Sequence, residues 1–204
     1  MFSHLKKLFC YSLWSFVRSK GKLRMTRQFK LAMDGGSKIT GSGIMTCGSI
    51  NRSSRHSLNR GLIIIRNGGT LTLLGDVYVG EGTVIVVHNG GHLSIGHGTY
   101  ITGDSRVEVK SAINIGEHCA ISWGVSILDD DHHELGFPKN GEAFTTLIGN
   151  NVWIGAHSMI LKNSIVGDGS VVAAKSLVNS HVPSNTLCGG VPARVIRKSI
   201  TWEK

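Results

Sequence analysis

An aliphatic residue recurs at every sixth position in the C-terminal half of the chain. Between residues 147 and 178 these positions are Ile148, Ile154, Ile160, Val166, Val172 and Val178. A period of six fits neither the 3.6-residue period of an α-helix nor the two-residue alternation of an ordinary strand. It fits a short strand followed by a sharp turn, repeated so that three strands close one triangular coil of about 18 residues. The sequence therefore predicts a solenoid of stacked coils, each supported by its neighbours.

The same pattern extends towards the N-terminus, to about Gly61. The segments "NGGTLTLLG" at 67–75 and "NGGHLSIG" at 89–96 are near-copies, 22 residues apart. Glycine is abundant, with 27 residues, and together with many Val and Ile it favours short strands joined by tight turns. Small residues lie four positions after each aliphatic residue of the later repeats, where we expect them to pack inside the corners: Ser158, Ser164, Ser170 and Ser176.

The register of the repeat divides the chain into four regions. We expect an amphipathic helix at 1–24, irregular first coils at 25–60, the repeat solenoid at 61–187 and a separate tail at 188–204. The solenoid is interrupted by an insertion at 128–147 that does not follow the repeat. A long insertion in a regular architecture is often functional.

The helix predicted at the N-terminus has two open interpretations. Its apolar positions, Leu5, Leu8, Phe9, Leu13, Trp14 and Phe16 or Val17, recur near helical spacing. This face either caps the core of the solenoid or lies on a membrane surface, with lysine and arginine side chains near the headgroups. No run of 18 apolar residues is present, so we expect no transmembrane helix.

Composition restricts the partners and the compartment. The net charge of +9 favours anionic partners, or else serves solubility alone. The four cysteines, Cys10, Cys47, Cys119 and Cys188, are widely spaced, and none forms a CxxC pair. Such cysteines suit a reducing compartment, so we expect a cytoplasmic protein, with peripheral attachment to the inner membrane if the N-terminal helix binds lipid.

The insertion concentrates acid and imidazole groups within six residues: Asp129, Asp130, Asp131, His132, His133 and Glu134. A histidine beside a carboxylate that fixes its tautomer is suited to taking a proton from a hydroxyl group. The alternative is an acidic loop that is simply solvated.

The repeats also resemble those of a known family. The segments "IGNNVW", "IGAHSM" and "VGDGSV" follow the pattern aliphatic–Gly–x–x–small–x. This pattern is similar to the hexapeptide repeat of left-handed parallel β-helix acyltransferases, over roughly 61–198. The resemblance implies an all-β fold, a left-handed parallel β-helix solenoid with a short N-terminal helix and a C-terminal tail segment. It also implies a homotrimer whose sites lie at the subunit interfaces.

Within this family, "ISWGVSILDDDHHELG" resembles sugar O-acetyltransferases, in which the segment ends in an Asp-x-Asp-x-His pattern. That resemblance implies His133 as the catalytic base, with Asp129 and Asp131 at the two acidic positions. An ungapped match to galactoside and maltose acetyltransferases selects His132 instead. We favour His133, with a hydroxyl oxygen attacking the thioester of acetyl-CoA directly.

The C-terminal segment "CGGVPARVIRK" resembles the ending shared by serine, maltose and galactoside acetyltransferases. An ungapped alignment with the galactoside enzymes from Gly149 onwards implies that the residues in contact with CoA are Ala156, Ala174, Asn179, Ser180, Arg194 and Arg197. The two arginines suit phosphate groups. Asn179 and Ser180 depart from the family's common Thr-Lys, so one basic contact is missing, which Lys175 or Lys198 could replace.

We therefore expect an acetyl-CoA-dependent O-acetyltransferase of a surface polysaccharide or its precursor. Trp123, Trp153 and Lys139 are the candidate saccharide contacts, and Trp153 N–H is a candidate oxyanion donor. Amino-sugar N-acetylation on the same fold is the alternative. A γ-class carbonic anhydrase using His88, His92 and His97 is less favoured, as is a non-catalytic binding solenoid. We expect neither a metal nor a nucleic-acid partner.

Overall fold

In a computed structural model of the chain, the described residues are 13–48, 59–131, 133 and 145–203. One helix, α1 (Leu13–Arg18), precedes the strands. In chain order the strands are β1 (Leu23–Met25), β2 (Phe29–Met33), β3 (Lys38–Gly41), β4 (Met45–Cys47), β5 (Gly61–Ile65), β6 (Thr70–Leu73), β7 (Val77–Val79), β8 (Val84–Val87), β9 (His92–Ile95), β10 (Tyr100–Ile101), β11 (Arg106–Val109), β12 (Ala112–Ile115), β13 (Ala120–Ile121), β14 (Ser126–Leu128), β15 (Thr145–Ile148), β16 (Trp153–Ile154), β17 (Met159–Ile160), β18 (Ile165–Val166), β19 (Val171–Val172), β20 (Leu177–Val178), β21 (His181–Val182), β22 (Thr186–Gly190) and β23 (Ala193–Lys198).

The strands form three sheets that wind around one core. The first sheet has the order β1-β4-β7-β10-β13-β16-β19-β22-β23, the second β2-β5-β8-β11-β14-β17-β20, and the third β21-β18-β15-β12-β9-β6-β3. Every third strand therefore returns to the same sheet, one coil further along, and the pairings are parallel up to β22. We call the turn from the first to the second sheet the first corner, the turn from the second to the third sheet the second corner, and the remaining turn the third corner.

The six-residue repeat marks the residues that fill the core. The repeat positions from Ile148 to Val178 are at most 3% exposed, which confirms the predicted register. The predicted inward serines are also confirmed, since Ser158, Ser164 and Ser170 are fully buried. Their hydroxyl groups donate to backbone carbonyl oxygens of the next coil at 2.7–3.0 Å. Each serine thus satisfies a polar group that a closed corner would otherwise leave buried without a partner.

The coils become smaller along the solenoid, with an intermediate step at which Val107 pairs with Ile127 20 residues later. Near the N-terminus, Ile63 pairs with Ile85 22 residues later, and the strands of the second and third sheets have four or five residues. Near the C-terminus, Ile154 pairs with Val172 18 residues later, and most strands have two residues. Strand β12 has four residues and places both Ile113 and Ile115 inside, so the six-residue repeat shifts by two positions there.

The first coil is more regular than the sequence predicts. Residues 23–47, which fall in the region expected to be irregular, form strands β1 to β4 and complete a first coil. Their repeat is hard to see in the sequence because the inward positions are held by mixed residues such as Met25, Phe29 and Met45 rather than by Val or Ile. The first coils expected at 25–60 are thus regular at 25–47, whereas residues 49–58 lie outside the residues that the structure describes.

Helix α1 lies beside β1 at the open end of the first coil. Its apolar side chains Trp14, Phe16 and Val17 are nonetheless 56%, 39% and 68% exposed. The guanidinium of Arg18 lies 5.1 Å from the centre of the Trp14 ring and donates to the carbonyl oxygen of Met33. Residues 1–12 are not described, so capping and membrane contact both stay predictions. Within the described ranges no helix is both long and apolar enough to cross a membrane.

The tail leaves the solenoid as a hairpin. After β22 the chain turns through Gly190 and the cis Val191–Pro192 peptide bond, and β23 returns antiparallel along β22 as the last strand of the first sheet. Beyond β23, the indole N–H of Trp202 donates to the carbonyl oxygen of Asn151 at 2.7 Å. The tail is therefore an ordered extension of the first sheet.

Candidate active site

The insertion leaves the solenoid at the second corner, and its first residues are anchored to the coil before it. Asp129 follows β14 and is fully buried. Its two carboxylate oxygens accept the backbone N–H groups of Lys110 at 2.7 Å and Ser111 at 2.8 Å, which form the same corner one coil earlier. Asp129 thus replaces the hydrogen bonds that the interrupted repeat cannot supply at this point.

Burial also controls the charge of this carboxyl group. Loss of solvation raises the pKa of Asp129 above the ordinary aspartate value, while the backbone N–H groups of Lys110, Ser111 and Ala112 oppose that rise. Because both of its oxygens are turned towards the backbone, the contacts of Asp129 are those of a structural anchor.

The next two aspartates are held by lysines from the two neighbouring coils. The carboxylate of Asp130 accepts a hydrogen bond from the ammonium group of Lys110 at 3.0 Å. Asp131 forms an ion pair with Lys162, which occupies the second corner one coil later, after β17. The stem of the insertion is therefore fastened on both sides. Neither lysine was predicted to belong to the site. The repeat does place Lys162 two residues after the inward Ile160, just as Asp129 comes two residues after Ile127.

His133 follows this stem directly and is exposed. His133 is thus on the surface of the molecule, two residues beyond Asp131. The alternative base His132 and the candidate acceptor residue Lys139 lie outside the described residues, and so does Glu134.

The two candidate tryptophans lie away from this corner. Trp123 is at the first corner and is 54% exposed. Trp153 points outward from the first sheet and is 43% exposed. In a three-sided solenoid, the first sheet is the face opposite the second corner. Its indole N–H donates to the Ser122 hydroxyl group at 3.2 Å, and its ring centre lies 6.0 Å from that of Trp202. Within one chain, Trp153 is therefore not beside His133, and its N–H already has a partner.

The residues implied in CoA binding fall into two groups. Ala156 and Ala174 occupy equivalent places at the first corner of successive coils, where the Lys175 N–H donates to the Ala156 carbonyl oxygen. Asn179 and Ser180 lie exposed at the second corner, two coils beyond the insertion. The second sheet separates these two corners.

The two arginines are on the hairpin of the tail. Arg194 is paired in register with Gly189 and Arg197 with Leu187, so both lie at the C-terminal edge of the first sheet. Both side chains are exposed, and Arg194 donates to its neighbour's carbonyl oxygen. An open cleft of about 580 Å³ lies between the last coil and the tail, and Lys198 is one of its lining residues. This cleft is at the third corner, whereas His133 is next to the second corner.

Neither a covalent cysteine intermediate nor a metal centre is favoured by the described residues. Cys47, Cys119 and Cys188 are buried, and burial raises the pKa of the Cys47 and Cys188 thiols, which suppresses the reactive thiolate. No group of three His, Cys, Asp or Glu side chains within the described ranges is arranged to hold a metal ion.

The three histidines of the carbonic anhydrase hypothesis are separated by the fold. His88 follows β8 and bonds to Glu108 at 3.0 Å, whereas His92 is on β9 in the third sheet. His97 lies at the third corner, where its Nδ1 accepts the Asp76 N–H. Within one chain, the three imidazoles therefore do not form the converging set that a zinc site requires.

A three-sided parallel solenoid interrupted by an anchored, histidine-bearing loop defines a protein of the hexapeptide-repeat class. The family described as bacterial transferase hexapeptide (six repeats) matches residues 145–180, the part with the smaller coils. The uncharacterized 24.8 kDa protein in the cps region of Klebsiella pneumoniae is 33% identical over 153 residues, which are 72% of this chain and 67% of that protein. The chain belongs to the hexapeptide-repeat acyltransferase family, as the sequence predicts.

A second relative and a solved structure extend this result. Galactoside O-acetyltransferase of Escherichia coli (strain K12) is 38% identical over 114 residues, 53% of this chain, and the match spans 55% of that enzyme. The crystal structure of the polySia specific acetyltransferase NeuO has a TM-score of 0.60 at 25% identity, covering 87% of this chain and 89% of that chain. The left-handed parallel β-helix is thereby confirmed.

Proposed function

We propose that this protein transfers an acetyl group from acetyl-CoA to a hydroxyl group of a saccharide, in a surface polysaccharide or its precursor. The observation that carries the proposal is the position of His133, exposed at the end of a stem that two neighbouring coils hold in place. Relatives that act on a galactoside and on polySia, by their names, support a saccharide acceptor.

The chemistry needs one base and no covalent enzyme intermediate. His133 takes the proton of the acceptor hydroxyl group as the oxygen attacks the thioester carbonyl carbon of acetyl-CoA. The resulting oxyanion is stabilised by hydrogen-bond donors, for which a backbone N–H of a neighbouring coil is suitable. As the carbon–sulfur bond breaks, the imidazolium returns its proton to the CoA thiolate, and the acetyl ester is released.

The three aspartates have different parts in this proposal. Asp129 builds the loop, because its oxygens are engaged with the backbone of Lys110 and Ser111. Asp131 is the carboxylate closer in sequence to His133, and it is the one we assign to orienting the base. His132 stays the alternative base.

We assign the donor to the groove between two copies of the chain. Four of the residues assigned to CoA lie at the first corner or on the first sheet: Ala156, Ala174, Arg194 and Arg197. The other two, Asn179 and Ser180, lie at the second corner, as does His133. Two chains placed side by side, with the first corner of one facing the second corner of the other, bring both groups to one ligand. A closed ring of three such contacts gives the homotrimer.

The arginines suit the phosphate groups of CoA, and the small side chains of Ala156 and Ala174 leave room for a narrow pantetheine arm. Trp123, Trp153 and Lys139 remain the candidate acceptor contacts, and the net charge of +9 favours an acidic glycan. We place the enzyme in the cytoplasm, with residues 1–24 either capping the solenoid or forming a peripheral contact to the inner membrane.

The proposal is tested by thiol release from acetyl-CoA against a panel of polysaccharides, nucleotide sugars and amino sugars. We expect release with a hydroxyl acceptor, and His133→Ala to lower kcat by about 10²–10⁴-fold, the usual contribution of a general base. His92→Ala is the matched control, because His92 is an exposed histidine on the outer face of the third sheet.

Full activity in His133→Ala together with loss in His132→Ala would move the base by one residue. Full activity in both would refute histidine catalysis by this loop. Transfer only to amino sugars would favour N-acetylation instead.

A further inference from the structure

The ion pair between Lys162 and Asp131 joins the insertion to the coil that follows it. Asp131 stands two residues before His133, and Lys162 occupies the second corner between β17 and β18. Two residues of extended chain span at most about 7 Å, so a fixed Asp131 keeps the backbone of His133 within about 7 Å of the Asp131 backbone.

The stability gained from this pair is small. The side chains of Lys162 and Asp131 are 32% and 43% exposed, and ion pairs open to water contribute little to stability. The pairing is better explained by what it positions. Asp129 and Asp130 are already held by the preceding coil, so Lys162 supplies the contact on the other side of the stem.

We propose that Lys162 is a positioning residue for acyl transfer, which acts through Asp131 to hold His133 at the second corner. This inference rests on the proposed function of His133. Lys162 is assigned no contact with the donor or the acceptor, so its removal lowers the rate of the chemical step and leaves substrate binding unchanged. A displacement of about 1 Å in a catalytic group can cost up to about 10²-fold in rate.

Lys162→Met retains much of the aliphatic side chain and removes the charge. We expect it to lower kcat about tenfold, with the KM for acetyl-CoA within about twofold of the wild type, a loss inside the range that misplacement produces. Lys162→Arg retains the charge and should recover most of the rate. Lys30→Met, which removes an exposed lysine from β2 on the outer face of the second sheet, is the matched control and should leave kcat unchanged.

A double-mutant cycle tests whether Lys162 acts through Asp131. If it does, Lys162→Met should cost little further activity in an Asp131→Asn background, since the two changes break the same contact. Fully additive losses would overturn the proposal. A raised KM with unchanged kcat would also overturn it, because it would show that Lys162 binds a substrate directly.

The two proposals fail in different ways. If His133→Ala and Lys162→Met both retain wild-type kcat, the proposed role of His133 is lost. If only His133→Ala is inactive, the base assignment stands and the positioning role of Lys162 is wrong. The melting temperature of each variant excludes misfolding as the cause, and rescue by Lys162→Arg provides a second check.

Discussion

The larger N-terminal coils and the smaller C-terminal coils solve the same packing problem differently. In a larger coil a strand such as β8 places two side chains inside, Ile85 and Val87. In a smaller coil a strand such as β17 places only Ile160 inside, and buried serines complete the corners. The larger coils gain their stability from apolar area, whereas the smaller coils combine less area with hydrogen bonds from side chains to the next coil.

The candidate site lies where the two kinds of coil meet. Asp129 is anchored to the last turn of the larger coils, and Lys162 belongs to the smaller ones. The residues assigned to CoA, from Ala156 to Ser180, are all in the smaller coils, whose regular corners repeat the same short side chains at the same place. On the proposed function, the regular coils hold the long donor and the break in regularity supplies the base.

The largest effect should come from removing an inward side chain of a smaller coil. We expect Ile160→Ala to lower the free energy of unfolding towards the upper end of roughly 2–5 kcal/mol, because its strand has no second inward aliphatic residue to fill the space. Ile85→Ala, beside Val87, should cost less. Urea unfolding of both variants at one protein concentration measures the difference.

Equal losses in these two variants would show that the extra inward residue of the larger coils does not compensate for a cavity. A larger loss in Ile85→Ala would reverse the comparison.

A smaller effect separates the corners of the two regions. The hydroxyl group of Ser164 donates to the Val178 carbonyl oxygen at 3.0 Å, so Ser164→Ala should cost about 1 kcal/mol. The buried hydroxyl oxygen of Thr83, at a corner of the larger coils, has no hydrogen-bond partner among the residues described. Thr83→Val, which retains the shape, should therefore be neutral or stabilising.

Thermal unfolding of the two variants, each against the wild type, measures both changes. A loss in Thr83→Val as large as that in Ser164→Ala would show that Thr83 has a bridging water as its partner.

The sequence predicts the smaller coils almost completely, and the larger ones less well. Where each strand has one inward residue, the position of Ile154 or Val172 can be read directly from the six-residue period. In the first coil the inward residues are of mixed type, Met25 and Phe29 among them, so periodicity alone does not reveal it. The loop residues His133 and Asp131 stand out by their chemistry, but their partners come from other coils.

Long-range contacts explain what the sequence leaves open. Lys162 is 31 positions from Asp131, and only the stacking of β14 on β17 makes them neighbours. The position of Trp153, on the face opposite the second corner, likewise depends on which sheet its strand joins. In the sequence, Trp123 and Trp153 stand on either side of the insertion, and this gives no sign that both lie away from His133 in the fold.

The smallest expected effect is a dependence on pH at the junction of the two regions. Burial raises the pKa of Asp129, so the folded protein retains this proton at pH values where the unfolded chain has released it. The stability from this group is fully present below the ordinary aspartate value near 4 and is lost as the pH rises through the raised pKa. Asp129→Asn cannot lose a proton, so its free energy of unfolding should gain on the wild type as the pH increases from about 4. Urea unfolding at several pH values measures the two curves, and parallel curves would mean that the backbone N–H groups of Lys110 and Ser111 fully offset the burial.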